Sequence, residues 1–386
     1  MIFWYIICEF IRKWGTQMTH RERFTGLFQG RTVDRAPFID AMGVCNYPSC
    51  IKRWKTEGLD INADQKDVRE IIGFDYARGY FMHARLLFHP EFEVEVIKRD
   101  KNKTYARNRW GGVEVREDGS ELMPITIEGP VKDRYSWQSV KERLCGGIPA
   151  RLPENFIEMC REAKESGLPV YTGDLPAGFF GALREIMGFE SFMYMFYDDP
   201  ALVSEILDTL CDLWVGVYSE IQKHVDLDYV FIWEDMCNKS GPLVGPSVFR
   251  EFLLPRYKRL TESVRKAGNT PLFMVDSDGD ERPLVPLWLE GGVDIVFPWE
   301  TQFGLDITEV RKKYPAMGMM GGLDKHILEF TRADMDKELK KVPYMLERGR
   351  YVPCLDHGVT NAVSWDNYRY FYEKLKEMIY KYPPQI

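Results

Sequence analysis

The sequence predicts an α/β fold, a single (β/α)8 TIM barrel with an antiparallel β excursion between its second and third strands. Short apolar runs recur eight times along the chain, and stretches with helical periodicity separate most of them. No GxGxxG motif follows the first run, which argues against an open dinucleotide-binding sheet. With 386 residues, of which 45% are hydrophobic, the chain can fill the core of one large barrel.

Each predicted strand is a run of apolar residues, introduced in most cases by Gly, Pro or Asp. A run without internal alternation is typical of a strand that is buried on both faces of a parallel sheet. The eight runs are Ala36–Met42, Phe74–Met82, Pro169–Leu175, Tyr229–Asp235, Pro271–Asp278, Val293–Trp299, Ala316–Asp324 and Tyr351–His357. Together they predict eight parallel strands.

Helical periodicity fills most of the intervals between these runs. Thr19 and Glu22 form the pattern of a capping box for a helix that ends near Phe28. Further helices are predicted over Phe189–Tyr197, Ala201–Lys223, Val248–Lys266 and Trp365–Tyr380. In the third of these, Pro255 predicts a kink, because proline lacks the amide hydrogen that the helix needs.

The interval between the second and third runs is too long for a single helix. Residues 92–116 alternate β-forming and charged side chains, and a helix is predicted around Ser136–Leu144. The insert therefore spans about residues 91–150 of a barrel domain at residues 18–386. Residues 1–17 are predicted to be an N-terminal extension, with a small amphipathic anchor as the alternative.

Charge and cysteine usage exclude several functional classes. The net charge of −8 and a pI near 5.5 argue against a nucleic-acid or anionic-membrane partner. Eight cysteines without a CxxC pair indicate reduced thiols. We therefore expect a cytoplasmic protein that binds a small-molecule substrate.

Acidic residues dominate the carboxyl ends of the predicted strands, where parallel α/β folds place their active sites. Asp276 and Asp278 point the same way because the side-chain period of a strand is two. Together with His357, they are predicted to bind zinc or another divalent metal. Without a metal the same groups would perform acid–base chemistry, since crowded carboxylates raise one another's pKa.

Other polar and aromatic residues at the strand ends complete the predicted site. The residues predicted to be catalytic are His357, Asp278, Glu234 and Asp235. The residues predicted to bind substrate are Asn46, Tyr47, Asp174, Trp233 and Trp299. The alternative is that these residues have structural roles. The aromatic residues would pack in the core, and Cys354 would be a buried small side chain. The acidic residues would cap helices: Asp174, Asp324 and Glu300, and also Asp280 at a helix that begins at Glu281.

Five segments resemble the uroporphyrinogen decarboxylase family. They are RERFTGLFQGRTVDRAPF (21–38), MPITIEGPVKDRYSW (123–137), GPLVGPSVFREFLLPRYK (241–258), GGLDKHIL (321–328) and YVPCLDHGVTNAVSWDNYRYF (351–371). The resemblance implies one (β/α)8 barrel and either of two chemistries. One is cofactor-free decarboxylation of uroporphyrinogen, and the other is zinc-dependent methyl transfer between corrinoid proteins and thiols or other acceptors.

The resemblance is weaker where the decarboxylases bind their substrate, which carries eight carboxylates. Their Arg-rich segment after the first strand corresponds here to DAMGVCNYPSC (40–50), which has no Arg or Lys. Their catalytic Asp on the second strand is also absent, since the local sequence is YARGYF. His357, in the DHGV motif, is the one match to an active-site position of that branch.

The methyltransferases of the family match in spacing but not in ligand type. Their zinc is held by a His-x-Cys pair after the fifth strand and a Cys after the eighth. The matching positions here are Asp276-x-Asp278 and Asp356-His357, with Cys354 nearby. Oxygen ligands make a zinc ion harder than thiolates do. The identity of the metal, and whether the methyl acceptor is a thiol, therefore stay open.

The sequence thus predicts a corrinoid-linked methyltransferase that acts on a small methylated substrate, uses zinc or another divalent metal, and takes its corrinoid from a partner protein. A homodimer is one of the oligomeric states that the sequence leaves open. The first alternative is a decarboxylase that uses His357 and carboxylates without a cofactor. The second is a non-catalytic binder of a tetrapyrrole or corrinoid.

Overall fold

Seven short parallel strands form one sheet in the computed structural model, which describes residues 18–41 and 47–385. The strands are β1 (Tyr80–Phe81), β6 (Val170–Gly173), β7 (Tyr229–Trp233), β10 (Leu272–Asp276), β11 (Ile295–Phe297), β12 (Gly318–Met320) and β13 (Tyr351–Val352). They are hydrogen-bonded in that order, and every neighbouring pair is parallel. Each strand lies within one of the predicted apolar runs.

The first predicted run, Ala36–Met42, contributes a bridge instead of a strand. Ile39 pairs in parallel with Tyr76 next to β1, and no ladder among the described residues joins this run to β13. The observed architecture is a mixed α/β fold with a curled parallel sheet. The predicted extension at residues 1–17 and the predicted substrate-binding residue Asn46 lie outside the described residues.

The middle strands are buried on both faces, as their unbroken apolar sequences predict. In β7, Val230, Phe231 and Ile232 are at most 2% exposed, and in β10 the same holds for residues 273–275. Burying each such side chain contributes roughly 1.5–3 kcal/mol. This rigid layer holds the residues that follow each strand at one edge of the sheet.

Helices precede, separate and follow the parallel strands. The α-helices are His20–Phe28, Pro48–Thr56, Gln65–Ile72, Arg134–Cys145, Phe156–Glu165, Phe179–Met187, Phe189–Asp198, Pro200–Gln222, Pro246–Val248, Leu254–Ala267, Val285–Glu290, Ile307–Lys313, Arg332–Leu339, Lys341–Glu347 and Trp365–Lys381. The first begins at the predicted capping box, in which the side chains of Thr19 and Glu22 each accept from the other's backbone N–H. Over the described ranges, no helix is both long enough and apolar enough to cross a membrane.

The helix predicted over Val248–Lys266 is irregular just before Pro255. Phe249–Leu253 forms a π-helix, and the α-helix resumes at Leu254. Because Pro255 cannot donate the hydrogen bond of a regular turn, the chain widens into a π turn just before it. Two 3₁₀ helices, Ile148–Arg151 and Lys325–Glu329, complete the helical segments of the described chain.

A separate antiparallel sheet lies between β1 and β6 in the sequence. Its strands, paired in sequence order, are β2 (Glu95–Asp100), β3 (Lys103–Arg107), β4 (Val113–Glu117) and β5 (Ile125–Glu128). The Thr126 hydroxyl donates to Glu185 at 2.6 Å and ties β5 to the helix Phe179–Met187. A small hairpin of β8 (Cys237–Asn238) and β9 (Gly241–Pro242) follows β7.

Candidate active site

Three parallel strands are followed by a non-glycine residue in the left-handed region. Asp174 comes directly after β6, Asp235 two residues after β7, and Trp299 two residues after β11, with φ of 74°, 45° and 50°. Such a conformation costs about 1–3 kcal/mol per residue and collects at functional sites. The chain therefore turns sharply where three of these strands end.

Asp276 and Asp278 lie at the end of β10 and are both half-buried. Burial and the neighbouring charge of Asp278 raise the pKa of Asp276 well above its usual range. Burial, followed by the charges of Asp235 and Glu300, raises the pKa of Asp278 to about 7. At neutral pH, Asp278 is therefore protonated in a large fraction of molecules.

His357 faces Asp278, with 3.8 Å between its Nε2 and Asp278 Oδ2. The backbone N–H of Gly358 donates to His357 Nδ1 at 2.8 Å, so the neutral ring carries its hydrogen on Nε2. Burial and the charge of Lys325 lower the pKa of His357, which favours this neutral ring. The fold thus brings together two predicted site residues that are far apart in the sequence, so that the imidazole N–H of His357 faces the carboxyl group of Asp278.

Asp235, whose charge acts on Asp278, forms an ion pair with Arg184. The guanidinium donates to the Asp235 carboxylate at 2.7 Å and lies over the Trp233 ring, 4.3 Å from its centroid. Gly181 lets the helix that carries Arg184 lie directly against Trp233, because a Cβ there would be 2.4 Å from the Trp233 carbonyl oxygen. Asp235 and Trp233 therefore belong to one packed cluster with a cation that the sequence analysis did not identify.

Asp174 and Tyr47, both predicted to bind substrate, also lie close to the acidic pair. Arg78 pairs with Asp174 at 3.3 Å, and the charge of Asp174 contributes to the raised pKa of Asp276. The charge of Asp278, after burial and Cys50, contributes to raising the pKa of the half-buried Tyr47. Asp174 accepts from the Leu175 backbone N–H and does not cap a helix.

Glu281 is a third carboxyl group close to Asp276 and Asp278, and it was not among the predicted site residues. It is fully buried, and neither carboxyl oxygen has a hydrogen-bonding partner among the described residues. Burial, followed by the charges of Asp276 and Asp278, raises the pKa of Glu281 well above its usual range. Because the alternation of acids ends at Asp280, no sequence pattern distinguished Glu281 from a turn residue.

Glu234, predicted to be catalytic, instead caps the helix Phe179–Met187. Its carboxylate accepts from three consecutive backbone N–H groups at residues 179–181 and from the Tyr257 hydroxyl. Glu234 is fully buried, and burial raises its pKa to about 7 in spite of these donors. The carboxylate satisfies a helix N-terminus with both of its oxygens engaged, which is a structural role, and its catalytic role stays a prediction.

Trp299, predicted to bind substrate, is 0% exposed and packs in the core. Its aromatic ring is therefore not available to a ligand, and the packing alternative holds.

The capping interpretation is confirmed for one of the remaining acids. Asp324 accepts from the His326 backbone N–H at the start of its 3₁₀ helix. Glu300 instead accepts from the backbone N–H of Gly279 and from Gln302. Asp280 pairs with Arg282, and the next helix begins at Val285 instead of Glu281.

The predicted metal ligands do not gather into a coordination site. Across residues 18–41 and 47–385, no group of three or more His, Cys, Asp or Glu side chains is arranged to hold an ion. His357 Nε2 carries its hydrogen, whereas a ligating nitrogen needs a free lone pair. Cys354 is buried with a raised pKa, which disfavours a thiolate. As arranged, these residues fit proton transfer better than metal binding.

Asp356 positions His357 through contacts with two neighbouring loops. Its carboxylate accepts from the backbone N–H and hydroxyl of Thr301 and from the Lys325 backbone N–H. With both oxygens engaged, Asp356 joins the segments after β11 and β12 to the one after β13. These contacts therefore restrain the loop that carries the adjacent His357.

Comparisons with known proteins identify related sequences and a related fold. Residues 157–378 match the model of the family "Uroporphyrinogen decarboxylase (URO-D)". A uroporphyrinogen decarboxylase from Hydrogenobaculum sp. is 35% identical over 272 residues, which cover 66% of this chain and 71% of the relative. Another from Gloeobacter violaceus is 26% identical over 186 residues, and there the chain spans about half (51%) of the relative's length.

One solved structure extends the likeness to the whole fold. A methyltransferase from Methanosarcina mazei superposes with a TM-score of 0.58 at 13% sequence identity. The match covers 93% of this chain and 99% of that protein. At this identity the likeness establishes the fold, and the chemistry must be argued from the site.

Proposed function

Since the chain belongs to the uroporphyrinogen decarboxylase family, we propose that it is a methyltransferase that acts on a small methylated substrate. The proposed fold is the complete (β/α)8 barrel with its antiparallel excursion. The seven parallel strands of the main sheet, one fewer than such a barrel has, support this proposal. The proposed methyl acceptor is a corrinoid carried by a partner protein, and a homodimer is the proposed assembly. When bound, the corrinoid would supply the nucleophile that accepts the methyl group.

The observation that carries this proposal is the half-buried carboxyl of Asp278 facing the His357 ring, with 3.8 Å between Asp278 Oδ2 and His357 Nε2. Burial and the charges of Asp235 and Glu300 raise the pKa of this carboxyl to about 7, so it can hold a proton at neutral pH. A methyl group leaves a heteroatom more readily when that atom is protonated as the bond breaks. For a methyl ether, the electron pair of the C–O bond stays on oxygen, and oxygen takes the proton of Asp278. The methyl group passes to the acceptor, so the products are an alcohol, the methylated acceptor and the Asp278 carboxylate, which the His357 N–H would stabilise.

The charge around the pair argues against a substrate with many carboxylates. Arg184 and Arg78 are already paired with Asp235 and Asp174. A free carboxylate here would meet the charges of Asp235 and Glu300 as well as the attraction of Lys325. A neutral or cationic methylated molecule suits this field better than an octa-anionic tetrapyrrole does.

The pH profile of the reaction should reflect the protonation of Asp278. Because the acid must be protonated to act, kcat/KM is expected to be level below pH 7 and to fall as the pH rises through about 7. Steady-state rates between pH 5 and 9 measure this profile. A rate that rises through pH 7 would show that Asp278 acts as a base, which contradicts the proposed role.

Decarboxylation is the second candidate, because the curated relatives are named uroporphyrinogen decarboxylases. The same protonated Asp278 would then supply a proton to the carbon that loses carbon dioxide. This candidate needs cations for the departing carboxylate, and the cations whose charges act on Asp278 and Asp276 are Lys325, Arg184 and Arg78.

One assay separates the two candidates. The purified protein is incubated with reduced cobalamin and methanol, trimethylamine or 2-methoxyphenol, and separately with uroporphyrinogen. We expect methylcobalamin, detected by its absorption spectrum, from at least one methylated compound and no carbon dioxide from uroporphyrinogen. The reverse result would establish decarboxylation. Repeating the assay after dialysis against a chelator tests the predicted divalent metal at Asp276, Asp278 and His357, and we expect the rate to persist.

A further inference from the structure

A cavity of about 310 Å³ lies beside the ends of β1 and β6. It is enclosed by the segment that follows β1, the start of the turn between β3 and β4, and the loop after β6. None of the residues that line it is Asp276, Asp278 or His357. Its volume is at the lower end of the range of about 300–1,000 Å³ that is usual for small-molecule sites.

The buried guanidinium of Arg151 lies at this cavity without a counter-ion. Arg151 is 0% exposed, and its terminal nitrogens donate to the backbone carbonyls of residues 85, 87, 143 and 144. Its Nε has no acceptor, and no carboxylate among the described residues forms an ion pair with it. A buried charge that only carbonyl groups compensate would gain from an anion nearby.

Two further guanidinium groups line the same cavity. Arg85 and Arg109 are exposed, and within the described chain neither forms an ion pair with a carboxylate. Arg109 lies over the ring of Trp110, 4.9 Å from its centroid. Glu91 is the one acidic residue in the lining, so three Arg side chains face one carboxylate in a chain whose net charge is −8.

The walls between these charges are aromatic. Phe81 and Trp110 are half-buried and border the cavity, and the Phe81 ring stacks on Tyr171 with centroids 5.0 Å apart. A flat apolar body fits such walls, and a planar guanidinium binds a carboxylate through two parallel hydrogen bonds.

We propose that this cavity binds a small aromatic carboxylate. The carboxylate meets Arg85 and Arg109 at the entrance and compensates the charge of Arg151 beneath them, while the ring lies against Phe81 and Trp110. The site is independent of the proposed methyl transfer, because it shares no side chain with the Asp278–His357 pair.

Calorimetric titration with benzoate tests the site, with benzamide as the neutral analogue of the same shape. We expect benzoate to bind the wild-type protein and benzamide to bind at least tenfold more weakly. The double variant Arg85→Gln, Arg109→Gln should lose benzoate affinity by tenfold or more, since two charge-assisted contacts are removed. Both residues are exposed, so the variant is expected to fold.

Two control variants decide the interpretation. Arg161→Gln removes an exposed positive charge outside the cavity and should leave benzoate affinity unchanged. Asp278→Asn should also leave it unchanged, and loss of binding in that variant would move the ligand to the acidic pair and overturn the proposal. Equal binding of benzamide, or full affinity in the double variant, would overturn it as well. Inorganic phosphate that displaces benzoate would support the anion site and extend it to other oxyanions.

Discussion

Replacing Asp278 with Asn is expected to lower kcat/KM for methyl transfer by about 10²–10⁴-fold, the usual contribution of a positioned general acid. Asn keeps the shape of the side chain but has no proton to transfer at neutral pH. The same substitution should raise the melting temperature above pH 7. The folded-state pKa of Asp278 is about 7, above its value of 3.8 in the unfolded chain, so the ionised carboxylate destabilises the folded protein as the pH rises.

A matched control for this substitution lies two residues along the chain. Asp280 is ion-paired with Arg282, and Asp280→Asn should leave kcat/KM within a factor of about two. Activity loss together with increased stability would be typical of a functional group that is strained by its neighbours. If Asp278→Asn lost stability along with activity, a structural role would explain the result, and Asp278 would no longer be the proposed acid.

The sequence predicted the parts of the fold that depend on local pattern. The run from Leu272 to Val275 has no polar break, and it is a strand buried on both faces. The capping box at Thr19 and the interruption at Pro255 depend on residues within a few positions, so they too were predicted. The first run was predicted as a strand but supplies one bridge, because strand length depends on the partner's register and not on apolar content alone.

The candidate site was predicted where strand geometry decides it and missed where distant packing decides it. Asp276 and Asp278 share a face because of the period of two, and His357 meets Asp278 because both follow parallel strands. The role of Glu234 depends on helix N–H groups that lie up to 55 positions away in the sequence. Glu281 is likewise buried by contacts that no local pattern records.

The largest effect on stability is expected from Glu234→Ala, with the free energy of unfolding lowered by about 3–5 kcal/mol. The substitution leaves three buried helix N–H groups and the Tyr257 hydroxyl without their acceptor, and each such group costs roughly 1–3 kcal/mol. Partial relaxation makes the total smaller than the sum. Urea denaturation measures the change. Glu190→Ala, an exposed acid in the first turn of the next helix, should change the value by less than about 0.5 kcal/mol.

The pH dependence of this effect distinguishes a cap from a simple loss of packing. The folded-state pKa of Glu234 is about 7, above 4.5 in the unfolded chain, so its stabilising contribution is greatest below pH 4.5 and declines as the pH rises through about 7. The difference between wild type and Glu234→Ala should therefore be larger at pH 5 than at pH 8. Glu234→Gln keeps one carbonyl oxygen as an acceptor and should lose less stability than Ala. A difference that is the same at both pH values, with Gln as stable as the wild type, would show that the side chain serves the fold through its volume and not through a titrating carboxyl group at the helix N-terminus.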